Sequence, residues 1–163
     1  MRRTTLAAAV QIAIMVVVLV PPVALKYTGT IVYLETEKMD PRALVRGDYV
    51  ILGYRLAQGI LPAHDAGAAR RHGWPVYVTV TTTRPARFVT AGFERPRLEA
   101  GQACLVGRAR GFGTRSVDFP QIAQYFVPEG TGGAIERRRG ADLLAKVATS
   151  RACNAVLIAL EPR

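Results

Sequence analysis

From Leu6 to Leu25 the chain runs for 20 residues without a charge, and Gln11 is the one strongly polar side chain among them. An α-helix rises about 1.5 Å per residue, so 20 residues reach about 30 Å, the thickness of the hydrocarbon core of a bilayer. The run has no polar face to show to water, which predicts a membrane-spanning helix and argues against a buried core helix of a soluble protein. Arg2 and Arg3 lie on its short amino-terminal side. Basic residues stay in the cytoplasm, so everything after Lys26 is expected on the far side of the membrane. A cleaved secretory signal also begins with a basic tip and an apolar stretch, but it ends in small residues at alternate positions. Here the run closes on Pro21, Pro22, Val23, Ala24, Leu25, Lys26 and Tyr27, without that pattern. The reading is a retained single-pass anchor over residues 1–26 in the inner membrane, with residues 6–25 in the lipid bilayer and residues 27–163 in the periplasm or its equivalent. A secreted domain lacking roughly the first 25 residues is the competing expectation.

The remainder of a 163-residue chain holds one ordinary domain and not two. From Thr28 onward, short apolar stretches rich in Val, Ile, Tyr, Thr and Phe are divided by Gly, Pro and charge, which is how a succession of β-strands reads. Strands are expected at Thr30–Glu35, Asp48–Leu56, Pro75–Thr83, Ala103–Ala109, Ser116–Phe119 and Gln124–Val127, with a closing hairpin of Leu143–Thr149 and Ala155–Leu160. One or two short helices are expected within Ile60–Arg71 and Thr131–Arg139. The fold class is therefore mainly β: an N-terminal transmembrane helix followed by one β-rich extracytoplasmic domain.

The net charge is +10, and 19 of the 22 basic residues are Arg. Such a surface suits anionic headgroups or an acidic face of a partner, and equally serves as a solvated exterior. Nucleic acid is excluded as a partner on this reading. The arginines are scattered, the aromatic residues fall mostly in strands that need a core, and an exported domain does not meet nucleic acid. His64, His72, Cys104 and Cys153 lack any paired metal-ligand spacing, so no metal and no cofactor are expected. An oxidising compartment permits a bond between Cys104 and Cys153, and two independently buried thiols fit the sequence as well. Lys146 and Ser150 stand four apart, but in a strand that spacing is about 13 Å, too far for proton transfer.

The most distinctive passage runs from Asp40 to Tyr54. Asp40 and Pro41 start a turn, Gly47 and Asp48 make a second, and the chain then enters a strand whose two faces both carry apolar bulk, which suggests a central strand. Gly47, Asp48, Tyr49, Leu52 and Tyr54 occupy every fixed position of the GDYXXLXY motif, and by them the chain resembles the family named after it. The likeness takes in Asp40, Pro41, Arg42 and Arg46 upstream, and a second block from Gln124 to Gly132 with Glu136 beyond it. The resemblance implies a membrane-anchored bacterial protein with an extracytoplasmic domain, often encoded beside a multi-pass membrane protein that becomes a candidate partner. It brings no reaction with it.

The anchor, the short strand, the Met39-Asp40-Pro41 turn and Gly47-Asp48 are also similar to the start of a type I signal peptidase. In that family a serine precedes the Met and acts as nucleophile. Here the position is Lys38, and that mechanism has nothing to start it.

The expected function is a membrane-anchored accessory protein that acts by binding, with no catalytic residues. The alternative is a hydrolase or peptidase on a signal-peptidase-like β scaffold. Candidate partner-binding residues are Asp40, Arg42, Arg46, Asp48, Tyr125 and Glu129, while Pro41, Gly47, Tyr49, Leu52, Tyr54, Pro128, Gly130 and Glu136 are expected to shape the motif.

Overall fold

The computed structural model describes residues 2–37, 49–60, 73–110, 116–126 and 143–163. Helix α1 spans Arg2–Thr28, two residues beyond the boundary expected at residue 26. From Thr5 on, every side chain of α1 is exposed except Leu25, which is half-buried. The helix thus packs against nothing along almost its whole length. Residues Thr5–Thr28 are long and apolar enough to cross a membrane, and lipid removes the penalty that water would impose on Val16, Val17, Val18 and Leu19. Pro21 and Pro22 lie inside the helix. They leave the carbonyls of Val17 and Val18 without their usual donors.

Among the described residues ten strands follow: β1 Thr30–Glu37, β2 Tyr49–Ile51, β3 Gly53–Tyr54, β4 Pro75–Thr81, β5 Phe88–Gly92, β6 Gln102–Ala109, β7 Val117–Asp118, β8 Gln124–Phe126, β9 Leu143–Thr149 and β10 Ala155–Pro162. They form a sheet of order β10-β9-β1-β3, a second of order β5-β4-β6-β7, and the two-stranded pair β2-β8. The mainly β architecture behind one apolar helix is the one expected. β1 alternates strictly, with Val32, Leu34 and Thr36 buried and Tyr33, Glu35 and Glu37 half-exposed, the period of a strand with one face on a core. Val32, Leu34, Ala145 and Val147 of the first sheet join Val76, Val78, Val80 and Leu105 of the second in one buried cluster. The β-branched residues suit the pleated surface on both sides of that core.

Two expectations from the sequence are corrected. The strand expected over Asp48–Leu56 breaks at Leu52 into β2 and β3 and ends in a 3-10 turn at Arg55–Ala57. It is not central either, because β3 closes one edge of its sheet and the inner places go to β9 and β1. β5 was not foreseen at all. Its Phe88, Val89 and Thr90 are exposed, so it lacks the inward alternation by which a strand is read. The helices expected within Ile60–Arg71 and Thr131–Arg139 lie outside the described residues, save for Ile60.

Two features tie the sheets together. Cys104 of β6 is bonded to Cys153 in the turn after β9, across 49 positions, and the Val106 amide donates to the Cys153 carbonyl at 2.8 Å. The loop after β4 meets β1. There the Ala86 amide donates to the Tyr33 carbonyl at 2.8 Å, and the Arg84 guanidinium sits 4.5 Å from the Tyr33 ring centre. Arg84 and Lys146 share the Glu161 carboxylate at 3.2 and 3.1 Å. Lys146 is thereby committed to Glu161, and Ser150 accepts the Asn154 amide with its hydroxyl oxygen at 3.1 Å. Neither is available to the other.

A candidate binding cleft at the motif strand

The motif strand belongs to two pairings. In its first half, Tyr49, Val50 and Ile51 pair antiparallel with Phe126, Tyr125 and Gln124. In its second half, Gly53 and Tyr54 pair with Glu37 and Thr36 at the end of β1. Leu52 stands at the bend, and its amide donates to the Ala123 carbonyl at 2.8 Å. The two sequence blocks that carry the family likeness, some 70 positions apart, are thus neighbouring strands.

Tyr54 fixes this arrangement. Its side chain is 3% exposed, its hydroxyl donates to the Ile122 carbonyl at 2.6 Å, and the Phe119 ring meets it edge-on at 6.1 Å between centres. Burial disfavours the phenolate and raises the hydroxyl's pKa well above the ordinary tyrosine range, so it remains a donor. Leu52 is half-buried and packs against the same core.

Beside this strand opens a cleft of about 740 Å³, bounded by Glu37, Ile51 to Tyr54, Ala57 to Gly59, Arg110, Ser116 to Pro120 and Ala123. It lies where the edge strand β3 of one sheet approaches the edge strand β7 of the other. Leu52, Tyr54, Val117 and Phe119 give it apolar walls. Four of the polar side chains are paired with one another. Gln58 donates to Glu37 at 2.7 Å, and Arg110 grips both oxygens of Asp118, with Nη2 at 2.9 Å and Nε at 3.1 Å. A two-point guanidinium pair of this kind defines direction as well as distance. The cleft falls within the volume range of binding sites, with a lining of mixed polar and apolar character.

Of the residues singled out in the sequence, Tyr125 lies in β8 opposite Val50 and is half-exposed, and Tyr49 pairs with Phe126. Asp40, Pro41, Arg42, Arg46, Gly47, Asp48, Pro128, Glu129, Gly130 and Glu136 lie outside the described residues. Sequence reasoning missed Glu37, Gln58, Arg110 and Asp118. No local pattern joins them, since they meet only because β1, the 3-10 turn and β7 converge.

A family model described as GDYXXLXY protein matches residues 11–160, nearly the whole chain. No curated protein and no solved structure matches the sequence.

Proposed function

Because the chain belongs to the GDYXXLXY family, we propose that it is a single-pass accessory protein of the inner membrane, whose exported domain binds a segment of another, multi-pass membrane protein. The observation that carries this reading is the pairing of β2 with β8, which joins the two motif blocks in one structural unit beside an open, partly apolar cleft. A cleft at converging sheet edges suits an extended peptide segment, which supplies apolar side chains to the walls and backbone groups to the rim. Arg2 and Arg3, in the first turn of the helix, support a cytoplasmic N-terminus and an extracytoplasmic β domain.

The test is photo-crosslinking in native membranes, with a reactive side chain at Gln58 on the cleft and a control at the exposed Arg97. Capture of one multi-pass protein from position 58 and not from 97 is expected. The same abundant proteins from both positions, or none from either, would defeat the accessory role. Protease added to spheroplasts should digest the β domain and spare the anchor. A mature product lacking the first 25 or so residues would instead identify a cleaved signal.

A further inference from the structure

We infer that the turn between β9 and β10 is a second contact with the bilayer, where Arg151 meets phospholipid headgroups, so that the domain stands on the membrane in one orientation. This rests on α1 being retained as a span. Its basis is the joint between helix and domain. α1 ends at Thr28 and β1 begins at Thr30, leaving Gly29 as the only connecting residue.

That joint is stiff. The Gly29 amide donates to the Leu25 carbonyl at 2.9 Å, and the Thr28 hydroxyl to the Ala24 carbonyl at 2.9 Å, so the helical bonding continues up to the strand. A Cβ on Gly29 would lie 2.7 Å from the Leu25 carbonyl oxygen and 3.0 Å from the Ala148 Cβ. The backbone therefore rests against β9 with no room for a side chain. Only Leu25 of the described helix side chains is half-buried, which means that α1 touches the sheet at its last turn and runs away from it.

Register then decides what lies at the membrane. Thr149 pairs with both Thr30 and Ala155, placing the turn of residues 150–154 at the helix end of the sheet. The turn is held from within by the Ser150 amide to the Asn154 carbonyl and the Cys153 amide to the Ser150 carbonyl, both at 2.9 Å. The Cys104–Cys153 bond fastens it to the second sheet. The two sheets are thus tied to each other, and the helix meets them where Gly29 rests against Ala148. Lys26 and Tyr27, exposed in the last helical turn, mark the headgroup level, and Arg151 is exposed on the neighbouring turn. A guanidinium suits phosphate oxygens. Gln58, bonded to Glu37 at the far end of β1, is turned to the other end of the domain.

The test uses full-length protein in nanodiscs containing phosphatidylglycerol, with a benzophenone side chain at position 154 or at position 58, and intact mass spectrometry to read lipid adducts. Several-fold more adduct from 154 than from 58 is expected, and Arg151→Glu should reduce the yield from 154 several-fold. Equal yields from the two positions would show a tumbling domain and overturn the inference. So would an unchanged yield from 154 in the Arg151→Glu protein. Failure of the protein to remain in the nanodisc would remove the anchor itself, and the accessory role with it. Incorporation without the adduct pattern would sink this inference alone.

Discussion

The hydroxyl of Tyr54 and the carbonyl of Ile122 are 2.6 Å apart, across 68 positions of sequence, inside the core. The last residue of the motif thereby clamps the segment that leads into β8. Tyr54→Phe keeps the ring against Phe119 but leaves the Ile122 carbonyl without this donor. A lost buried hydrogen bond costs about 1–3 kcal/mol. Urea unfolding of the two proteins should show that loss, with an unchanged slope.

The same residue makes stability depend on alkaline pH. Its pKa is raised in the folded state by burial, so the folded protein holds this proton after the unfolded chain has begun to release it. Its contribution is complete below the ordinary tyrosine pKa of about 10 and is lost as pH rises above it. Lys146 acts in the same direction. The hydrogen bond and charge of Glu161 raise its pKa, so its stabilisation is present below the ordinary lysine value and disappears as pH climbs through the raised one. Melting temperature should therefore fall above about pH 10, and less steeply in Tyr54→Phe. Parallel curves for the two proteins would contradict the assignment.

Reduction of the Cys104–Cys153 bond opens a loop of 49 positions. In the chain-entropy account a closed loop of that size contributes about 4 kcal/mol. Cys104→Ala/Cys153→Ala should melt well below the parent under oxidising conditions, and reductant should remove most of the difference. An equal melting temperature in the oxidised parent and the double variant would mean that the bond contributes nothing.

The sequence made the apolar helix legible because 20 uncharged residues leave it no polar face, and it located most strands through β-branched residues bounded by Gly and Pro. It could not divide the motif strand between two pairings. Tyr49 to Tyr54 looks like one strand locally, and the bend at Leu52 arises from partners at Ala123 and Glu37 that are remote in sequence. β5 escaped because Phe88 and Val89 are both exposed, which removes the alternation of a half-buried strand. The cleft escaped because Arg110 and Asp118, both still exposed, are brought together only when β7 folds back beside β6. Cys104 and Cys153 left two readings open, since spacing carries no distance.

Gly107 illustrates a close approach that admits no side chain. A Cβ there would lie 2.6 Å from the Asp118 carbonyl oxygen and would run into the Val117 side chain. Both neighbours belong to β7, which supplies one wall of the cleft. Gly107→Ala must push β7 outward, and overpacking of this kind costs about 1–3 kcal/mol. The variant should lose that stability and also show weaker capture by the crosslinker at Gln58. Retention of full stability would mean that β7 yields freely.

Thr79 and Cys104 face each other across β4 and β6. Thr79 is 2% exposed, and its hydroxyl is the one buried side-chain polar atom without a hydrogen-bond partner among the described residues. Taking a hydroxyl out of water without replacing its bond costs about 1–3 kcal/mol on the scale of protein substitutions. Valine has nearly the same shape, keeps the β-branched rotamer that a strand favours, and carries no group to desolvate. Thr79→Val should therefore raise stability by about 1 kcal/mol, an unusual direction for a core substitution. Guanidinium unfolding measured with the disulfide intact in both proteins isolates this effect from that of the neighbouring Cys104. A loss of stability would show that the hydroxyl is satisfied in solution, by water admitted between the two strands.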